Sequence, residues 1–301
     1  MSEKGKALRQ IFYRKGDPYH HISAPTPYAA RMLEAAGFEY IFLGGDVTFG
    51  VMLGKPGVLL TIPEKINIAR YFVDAVKIPV VMDCDEIGGL GPAWAVRACE
   101  EYIRAGLAGM DIDDRMPDHS IQAAHAEREG GIEAVIPVDA MVDNIKAIVE
   151  TKKSLDPDFV LRVRCYDFWV NTDVDDTIRR LKAYEAAGAE VLYLGGPFNF
   201  DPEVVKKSLK ALKVPCTVPA VWMTYEWAKE HGVCEIRTPY ELEMIMHAAG
   251  WEFLADLRKR GRQAIPEWRK KYEGNPFMAS GVDFYKKAGA DKTQAPRPTL
   301  T

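Results

Sequence analysis

Apolar and polar segments alternate along the chain with a regular rhythm. Four times, a stretch that ends in Ala-Gly or Gly is followed by a short run rich in Ile, Val, Leu and Tyr. A glycine at a helix C-terminus accepts the left-handed backbone that ends the helix, and short apolar runs are typical of buried parallel strands. The four segments are AAGFEYIFLGG (35–45), RAGLAGMDIDD (104–114), AAGAEVLYLGG (186–196) and KEHGVCEIRTP (229–239).

Four further strand candidates complete a series of eight. Three of them follow a switch from polar to apolar residues at Pro or Asp, and the fourth opens the series. They are KIPVVMDCD (77–85), DPDFVLRVRC (156–165), KVPCTVPAV (213–221) and HHISAP (20–25). Between the strands, apolar residues spaced by three and four predict helices. The clearest are 61–76, 138–155 and 173–188, the first with a capping box of Thr61 and Glu64.

Eight strands that alternate with helices predict an α/β fold, a (β/α)8 TIM-type barrel with additional C-terminal helices. A doubly wound sheet is the alternative, but no GxGxxG opens the first strand–helix turn. We assign residues 1–250 to a barrel catalytic domain. Residues 251–301 are predicted to form C-terminal helices and a tail that contact another subunit.

Composition and charge exclude several classes of protein. The net charge is −4 and the isoelectric point about 5.9, whereas a duplex-binding surface needs a basic excess, so we expect no nucleic-acid partner. No window offers the ~20 apolar residues of a membrane helix, and the polar start MSEKGKALRQ does not read as a secretory signal. Five scattered cysteines without a CxxC pair predict reduced thiols and a cytoplasmic protein.

Acidic side chains collect where the third and fourth strands end. Asp83 and Asp85 alternate along one strand and therefore point to the same face, and Asp113 ends the neighbouring strand. Carboxylates side by side repel each other unless a cation or a proton intervenes. Oxygen-only ligation favours a hard ion, Mg²⁺ with Mn²⁺ as the alternative. The simpler interpretation is a carboxylate cluster that caps helices or pairs with arginines.

The fifth and second strands also end in residues suited to binding an anion. Arg164 can bind a carboxylate and stabilise a developing oxyanion, or it can pair with the carboxylate cluster. Arg162 lies one layer deeper and is expected to form a structural ion pair. Gly44 and Gly45 offer backbone N–H groups to an anion, or form a tight turn. Asp46 beside them is a candidate helix cap or metal-supporting group.

Candidates for proton transfer lie in the long polar segment RMPDHSIQAAHAEREGG (115–131), which follows the fourth strand. Such loops often close over a site. His119, His125 and Glu127 are the candidates, against the alternative that they are solvent-exposed. Trp222, near the end of the seventh strand, is interpreted as packing or as part of the substrate pocket.

These motifs resemble the isocitrate lyase / phosphoenolpyruvate mutase superfamily over roughly residues 8–250. The resemblance implies a (β/α)8 barrel that binds Mg²⁺ and 2-oxo or 2-hydroxy acids and cleaves or forms C–C or C–P bonds next to a carboxylate. It also implies a homotetramer that exchanges a C-terminal helix. The matching segments are ISAPTPYAARMLEAAGF (22–38), GKPGVLLTIPE (54–64), PVVMDCDEIGGLG (79–91), AGLAGMDIDD (105–114), RVRCYDF (162–168) and AYEAAGAEVLYLGG (183–196).

Carried over by position, the resemblance assigns a role to each strand end. The family's D-x-D metal pair falls on Asp83 and Asp85, and Asp113 replaces the Glu of its I-E-D segment. The Arg of its R-T-D motif falls on Arg164. The other matches are Gly44-Gly45 for the family's S-G substrate loop and Glu64 for the acid of its T-x-x-E. Glu64 is therefore a further candidate for proton transfer and for substrate binding.

The chain also departs from the family. The K-K/R-C-G-H loop of the lyase branch is absent, as are the Lys and Asn that the mutase and hydrolase branch carries there. Gly57 and Gly195 stand where the family has acidic residues, and Val221 or Trp222 replaces an Asn. The metal platform is therefore retained while the proton-transfer group has changed.

Together these features predict a Mg²⁺-dependent carbon–carbon lyase, decarboxylase or hydrolase. Its substrate is expected to be a small 2-oxo or 2-hydroxy carboxylic acid that reacts through an enolate. Two alternatives stay open: a phosphonopyruvate-type C–P hydrolase or mutase, and a non-catalytic metabolite-binding member.

Overall fold

The structure is a computed structural model that describes residues 2–55, 57–84, 91–116, 135–196 and 199–278. The chain divides into two compact units, Met1–Leu242 and Glu243–Thr301. In the first unit, eight parallel strands form one sheet in the order β1-β8-β7-β6-β5-β4-β3-β2. The strands are β1 Tyr19–His21, β2 Ile41–Leu43, β3 Val80–Asp83, β4 Gly109–Asp113, β5 Val160–Cys165, β6 Val191–Leu194, β7 Cys216–Val218 and β8 Val233–Arg237.

The two ends of this sheet meet. Ser23, two residues beyond β1, forms a parallel bridge with Phe42 of β2. This bridge nearly closes the sheet into a barrel, and the predicted (β/α)8 fold is confirmed. The only register shift in the described ladders lies at Cys216 and Thr217, where β7 meets β8.

Helices follow the strands and surround the barrel. The long ones lie where apolar spacing predicts them, and residues 138–155 form a helix with the predicted bounds. In the first unit the helices are α1 Glu3–Phe12, α2 Pro27–Ala35, α3 Val51–Leu53, α4 Ile62–Ala75, α5 Pro92–Arg104, α6 Val138–Leu155, α7 Asp167–Asn171, α8 Val174–Ala187, α9 Pro202–Ala211 and α10 Tyr225–His231.

Local signals in the sequence explain where several helices begin and end. The capping box at the start of α4 is present, with the Thr61 amide donating to Glu64 Oε2 at 2.8 Å. The helix α8 ends at Gly188, whose φ of 111° is accessible to glycine and strained for other residues. All five cysteines are buried, and none of them forms a disulfide. Among the described residues, no helix has the length and apolar character needed to cross a bilayer.

The amino-terminal end of the barrel has an apolar floor. Helix α1 contributes Leu8, Ile11 and Phe12 to a buried cluster with the inward-facing side chains at the start of the strands. The larger core lies between the outward faces of the strands and the surrounding helices. Charged groups above the floor therefore sit in a medium of low polarity, where each unpaired charge is costly. The other floor residues are Tyr19, Tyr40, Phe42, Val81, Ala108, Val160, Val191 and Cys234.

The second unit is helical over its described part. Helix α11, Glu241–Arg260, spans the boundary between the units and is followed by a 3-10 turn and by α12, Ala264–Lys271. Within this unit, Phe253 packs edge-on against Trp268, with ring centroids 5.6 Å apart. Four large apolar side chains of α11 are more than half exposed: Met244, Ile245, Trp251 and Leu254.

Candidate functional site

Three predicted site residues come together at the carboxyl ends of consecutive strands. Asp83 ends β3, Asp113 ends β4, and Arg164 lies near the end of β5. The ladders pair Asp83 with Asp111 and Asp113 with Arg164. All of these side chains are at most 6% exposed. Polar groups collected at this end of a parallel barrel form the usual location of an active site.

Arg164 is held by two carboxylates. Its Nη2 atom donates to Asp83 Oδ1 and, at 3.0 Å, to Asp111 Oδ2, while Nε donates to the same Asp111 oxygen at 3.1 Å. Nη1 lies 3.4 Å from the Tyr166 hydroxyl. The guanidinium is therefore fixed in one orientation across the barrel mouth. The sequence suggested that Arg164 either binds an anion or pairs with the carboxylate cluster. The two roles are compatible, because the pairing also orients the guanidinium for an anion.

Asp113 pairs with its near neighbour Arg115. Asp113 Oδ2 accepts hydrogen bonds from Arg115 Nε at 2.9 Å and Nη2 at 2.7 Å, and Oδ1 accepts from the Arg115 amide at 3.1 Å. The Arg115 guanidinium also lies over the Tyr166 ring, 5.0 Å from its centroid. A planar, two-pronged pair of this kind fixes the direction of both side chains.

A second layer of charge lies beneath the first. Arg162 donates through Nε to Asp111 Oδ1 at 2.7 Å and through Nη1 to Glu235 Oε2 at 2.6 Å. Glu235 also accepts hydrogen bonds from Tyr40 and, at 2.9 Å, from Thr217. Arg162 thus forms, with Asp111, the structural ion pair that its deeper position predicts.

Burial shifts the proton affinities in this layer. Asp111 is surrounded by arginines, and despite its burial their charges hold the pKa of its carboxyl below the ordinary value. Burial raises the pKa of Glu235 to about 8, with Arg237 opposing the shift. Burial, assisted by the nearby arginines, lowers the pKa of His21 well below its ordinary value, so His21 is neutral at pH 7.

The chemistry of the strand-end carboxylates fits a hard divalent cation in part. Asp83 and Asp113 supply oxygen donors on adjacent strands, as Mg²⁺ requires. Within the described ranges, however, no three His, Cys, Asp or Glu side chains are placed to hold a metal. Arginines already contact Asp83, Asp111 and Asp113. A complete site would therefore need further carboxylates, and Asp85 lies outside the described residues.

The glycine loop after β2 is built around a short π-helical turn, Gly45–Gly50. The Gly44 amide donates to Thr48 Oγ1 at 3.3 Å, and its carbonyl accepts from the Thr48 amide. Asp46 Oδ1 accepts from the Gly57 amide at 3.4 Å and so ties this turn to the next loop. Gly45 opens the turn, where amides have no partner within the helix, and it is better placed than Gly44 to meet an anion.

Gly57 and Gly195, which the sequence resemblance places at positions of acidic residues in the family, have no room for a side chain. A β-carbon at Gly57 would lie 2.0 Å from the carbonyl oxygen of Gly45. A β-carbon at Gly195 would lie 2.7 Å from Cδ1 of Tyr166 and 2.8 Å from the carbonyl oxygen of Cys165. Neither position can hold a larger residue on this backbone, and the Tyr166 ring fills the space at the end of β6.

Two other candidates make local contacts. Glu64 is exposed and bonded to Thr61, which lowers the pKa of its carboxyl. A lowered pKa makes this carboxyl better suited to accept a proton than to donate one. Trp222 donates its indole N–H to the Phe200 carbonyl at 2.5 Å and packs edge-on against Trp227. The predicted residues Asp85, His119, His125 and Glu127 all lie outside the described part of the chain.

Sequence reasoning did not select Asp111, Glu235 or Arg237 for the site. A signal for them exists, because three buried strands carry charges at alternate positions: DID at 111–113, RVR at 162–164 and EIR at 235–237. Alternation with period two places both charges of each strand on one face. Since the outward faces are apolar, all six charges face into the barrel.

Comparisons with known proteins agree with this geometry. The family model described as phosphoenolpyruvate phosphomutase matches residues 8–255. A 2-methylisocitrate lyase of Escherichia coli (strain K12) is 30% identical over 194 residues, 64% of this chain and 62% of the relative. An oxaloacetate decarboxylase of Ectopseudomonas mendocina (strain ymp) is 31% identical over 209 residues, 69% of this chain and 66% of the relative. The matches thus span just under two thirds of the relatives' lengths.

A solved structure shows the same fold. A phosphonopyruvate hydrolase in complex with oxalate and Mg²⁺ has a TM-score of 0.78 at 19% identity and covers 96% of each chain. The superfamily resemblance predicted from the motifs is confirmed by these matches. The chain belongs to the phosphoenolpyruvate phosphomutase family, within the isocitrate lyase / phosphoenolpyruvate mutase superfamily.

Proposed function

We propose that the protein is a Mg²⁺-dependent lyase or decarboxylase that cleaves a C–C bond of a small 2-oxo or 2-hydroxy carboxylic acid through an enolate. The observation that carries the proposal is the convergence of Asp83, Asp113 and Arg164 at the carboxyl ends of three consecutive strands. Relatives named as a 2-methylisocitrate lyase and an oxaloacetate decarboxylase support it.

Asp83, Asp85 and Asp113 would hold Mg²⁺, or Mn²⁺ in its place, directly or through water. When bound, the ion would polarise the substrate carboxylate and the oxygen on the neighbouring carbon. Asp83 and Asp113 are both engaged by arginines. The negative charge that balances the ion must therefore come largely from Asp85 and from the substrate itself.

Arg164 is proposed to stabilise the negative charge that develops on the substrate. Its guanidinium, fixed by Asp83 and Asp111, donates to the substrate oxygen on which negative charge develops as the C–C bond breaks. The Gly45 amide is proposed to bind the substrate carboxylate. Because Arg164 is already oriented by its carboxylate partners and is only 6% exposed, it needs little rearrangement during the reaction.

The enolate must then receive a proton. His119, His125 and Glu127 are the proposed donors. Tyr166 is a further candidate, because burial raises the pKa of its hydroxyl and keeps it protonated, and because it lies beside Arg164. Glu64, with the lowered pKa of its carboxyl, is proposed as a base rather than as the acid.

Asp85→Asn tests the proposal. The wild type with Mg²⁺ should release pyruvate from oxaloacetate, and EDTA should abolish the reaction until Mg²⁺ is restored. The variant should lose turnover. It should also lose the rise in melting temperature caused by Mg²⁺ with oxalate, which reflects a stabilisation of about 2.7 kcal/mol at 100 times the Kd. Asp201→Asn, at an exposed helix cap, is the matched control. Full activity of Asp85→Asn with unchanged metal binding would refute the assignment.

Phosphonopyruvate separates this chemistry from C–P cleavage. Among the basic residues of the loop after β4, Arg115 is the described one that could help to hold a phosphonate, but it is engaged by Asp113. We therefore expect kcat/KM for phosphate release from phosphonopyruvate to be below that for pyruvate release from oxaloacetate. The reverse order would move the proposal to a hydrolase or mutase. No turnover of either, with no thermal shift, would favour a non-catalytic member.

We further propose that the chain forms a homo-oligomer, a tetramer that exchanges its C-terminal helix. The exposed apolar side chains of α11 support this, since Ile245 and Trp251 are 67% and 72% exposed. Light scattering measures the mass directly. A cytoplasmic location is proposed because five buried cysteines form no disulfide.

A further inference from the structure

Arg237, the last residue of β8, carries a buried guanidinium nitrogen, Nη1, without a hydrogen-bond partner among the described residues. Its side chain is 7% exposed. The nearest carboxylate oxygen, Asp111 Oδ2, is 3.9 Å away, too far for a hydrogen bond. A guanidinium carries five N–H donors, and leaving a buried charged donor unsatisfied is costly. The cost is removed if a ligand accepts those hydrogen bonds.

The surroundings of Arg237 leave its charge poorly compensated. Asp111 is shared with Arg162 and Arg164, and each of those arginines has a second carboxylate. The partner of Arg162 is Glu235 and the partner of Arg164 is Asp83. In the described part of the barrel, Arg237 has no second carboxylate of its own. A positive charge is therefore available for an incoming anion.

The Arg237 guanidinium lies near that of Arg164 inside the barrel. Its guanidinium is 4.6 Å from the centroid of Phe42 and 5.1 Å from that of Tyr193, and Arg164 lies 5.8 and 5.5 Å from the same two rings. Arg237 Nη1 and Arg164 Nη2 are 3.9 and 3.0 Å from one oxygen of Asp111. The two nitrogens are thus no farther apart than the sum of those distances, about 7 Å.

We propose that Arg237 is a second anion-binding residue, which receives the distal carboxylate of a short dicarboxylic substrate whose reacting end lies at Arg164. The inference rests on the proposed function for the placement of that reacting end. Two carboxyl carbons joined by three C–C bonds of about 1.5 Å each lie less than about 4.5 Å apart, so a carboxylate at each end is compatible with two guanidinium nitrogens at most about 7 Å apart. A planar fork also suits a carboxylate, which accepts two parallel hydrogen bonds.

Two acids with the same skeleton test the proposal by calorimetry. Malate carries a distal carboxylate where 2-hydroxybutyrate carries a methyl group. The wild type with Mg²⁺ should bind malate roughly 10- to 100-fold more tightly, as expected for a charge-assisted hydrogen bond in a buried site. Arg237→Gln should remove most of this preference and leave the affinity for 2-hydroxybutyrate unchanged. Arg237→Lys, which keeps the charge, should retain part of it.

The matched control is Arg179→Gln, at an arginine that is 60% exposed on α8. It should keep the wild-type preference. If Arg237→Gln does not fold, the wild type and Arg237→Lys still decide the matter. A wild type with no preference for malate overturns the proposal, as does an Arg237→Gln variant that weakens both acids equally. Absence of oxaloacetate turnover with the malate preference intact would refute the proposed function but not the role of Arg237 as an anion-binding residue.

Discussion

Replacing the buried Glu235 by Gln should change how stability depends on pH. Glu235 is fully buried in the barrel, where Arg162, Tyr40 and Thr217 bond to its carboxyl and His21 Nδ1 lies 3.1 Å away. His21 is neutral across the range concerned because the pKa of its imidazole is lowered. Burial dominates over these partners and raises the pKa of Glu235 from 4.5 to about 8.

The sign follows from the raised pKa. The folded protein holds this proton more tightly than the unfolded chain does, so the contribution of Glu235 to stability is complete below pH 4.5 and is lost as the pH rises to about 8. The difference between the two pKa values corresponds to at most about 5 kcal/mol. Since the carboxyl is 0% exposed, solvent does not screen this effect. Glu235→Gln mimics the neutral form at every pH.

Urea denaturation of both proteins between pH 5 and pH 9 measures the effect. The variant should match the wild type within about 1 kcal/mol at pH 5 and exceed it by several kcal/mol at pH 9. Glu203→Gln, whose side chain is 78% exposed, is the control and should give a flat difference. A flat difference for Glu235→Gln, or a loss of several kcal/mol at pH 5, would show that Arg162 keeps the carboxyl ionised and would refute the reasoning.

Two further variants probe the site. Asp111→Asn removes the carboxylate that three arginines share. The free energy of unfolding, measured in urea, should fall by about 3–5 kcal/mol. A fall of less than about 1 kcal/mol would contradict the charge network. Gly57→Ala places a β-carbon 2.0 Å from the Gly45 carbonyl oxygen. It should therefore lower the free energy of unfolding by about 1–3 kcal/mol and raise KM for oxaloacetate. Gly250→Ala, with open space around its position, should be neutral or stabilising, and equal effects of the two glycine changes would refute the steric argument.

The barrel could be predicted from sequence because most of its strands are buried on both faces. Seven of the eight strands lie inside their predicted segments, and β1 overlaps its segment at His20 and His21. Apolar runs such as those of β3 and β6 are typical of such buried strands. The helix α6 was predicted with its observed bounds, since its apolar spacing is uninterrupted. The π-helical turn Gly45–Gly50 was not predicted, because its geometry depends on contacts with the next loop rather than on local propensity.

The site was predicted less completely than the fold. Alternation along a strand shows which charges face inward, but the choice of partner depends on the stagger between strands. Arg164 thus contacts Asp83 and Asp111, while Asp113 pairs with Arg115 only two residues away. The sequence contains the charged residues of both pairs, but only the register between the strands shows which side chains are close enough to contact each other.

The two closed glycine positions limit how this site can be redesigned. A carboxylate introduced at Gly57 or Gly195 alone would collide with the Gly45 carbonyl or with the Tyr166 ring. Adding an acidic ligand at either position therefore requires a second change, in the loop or at the tyrosine.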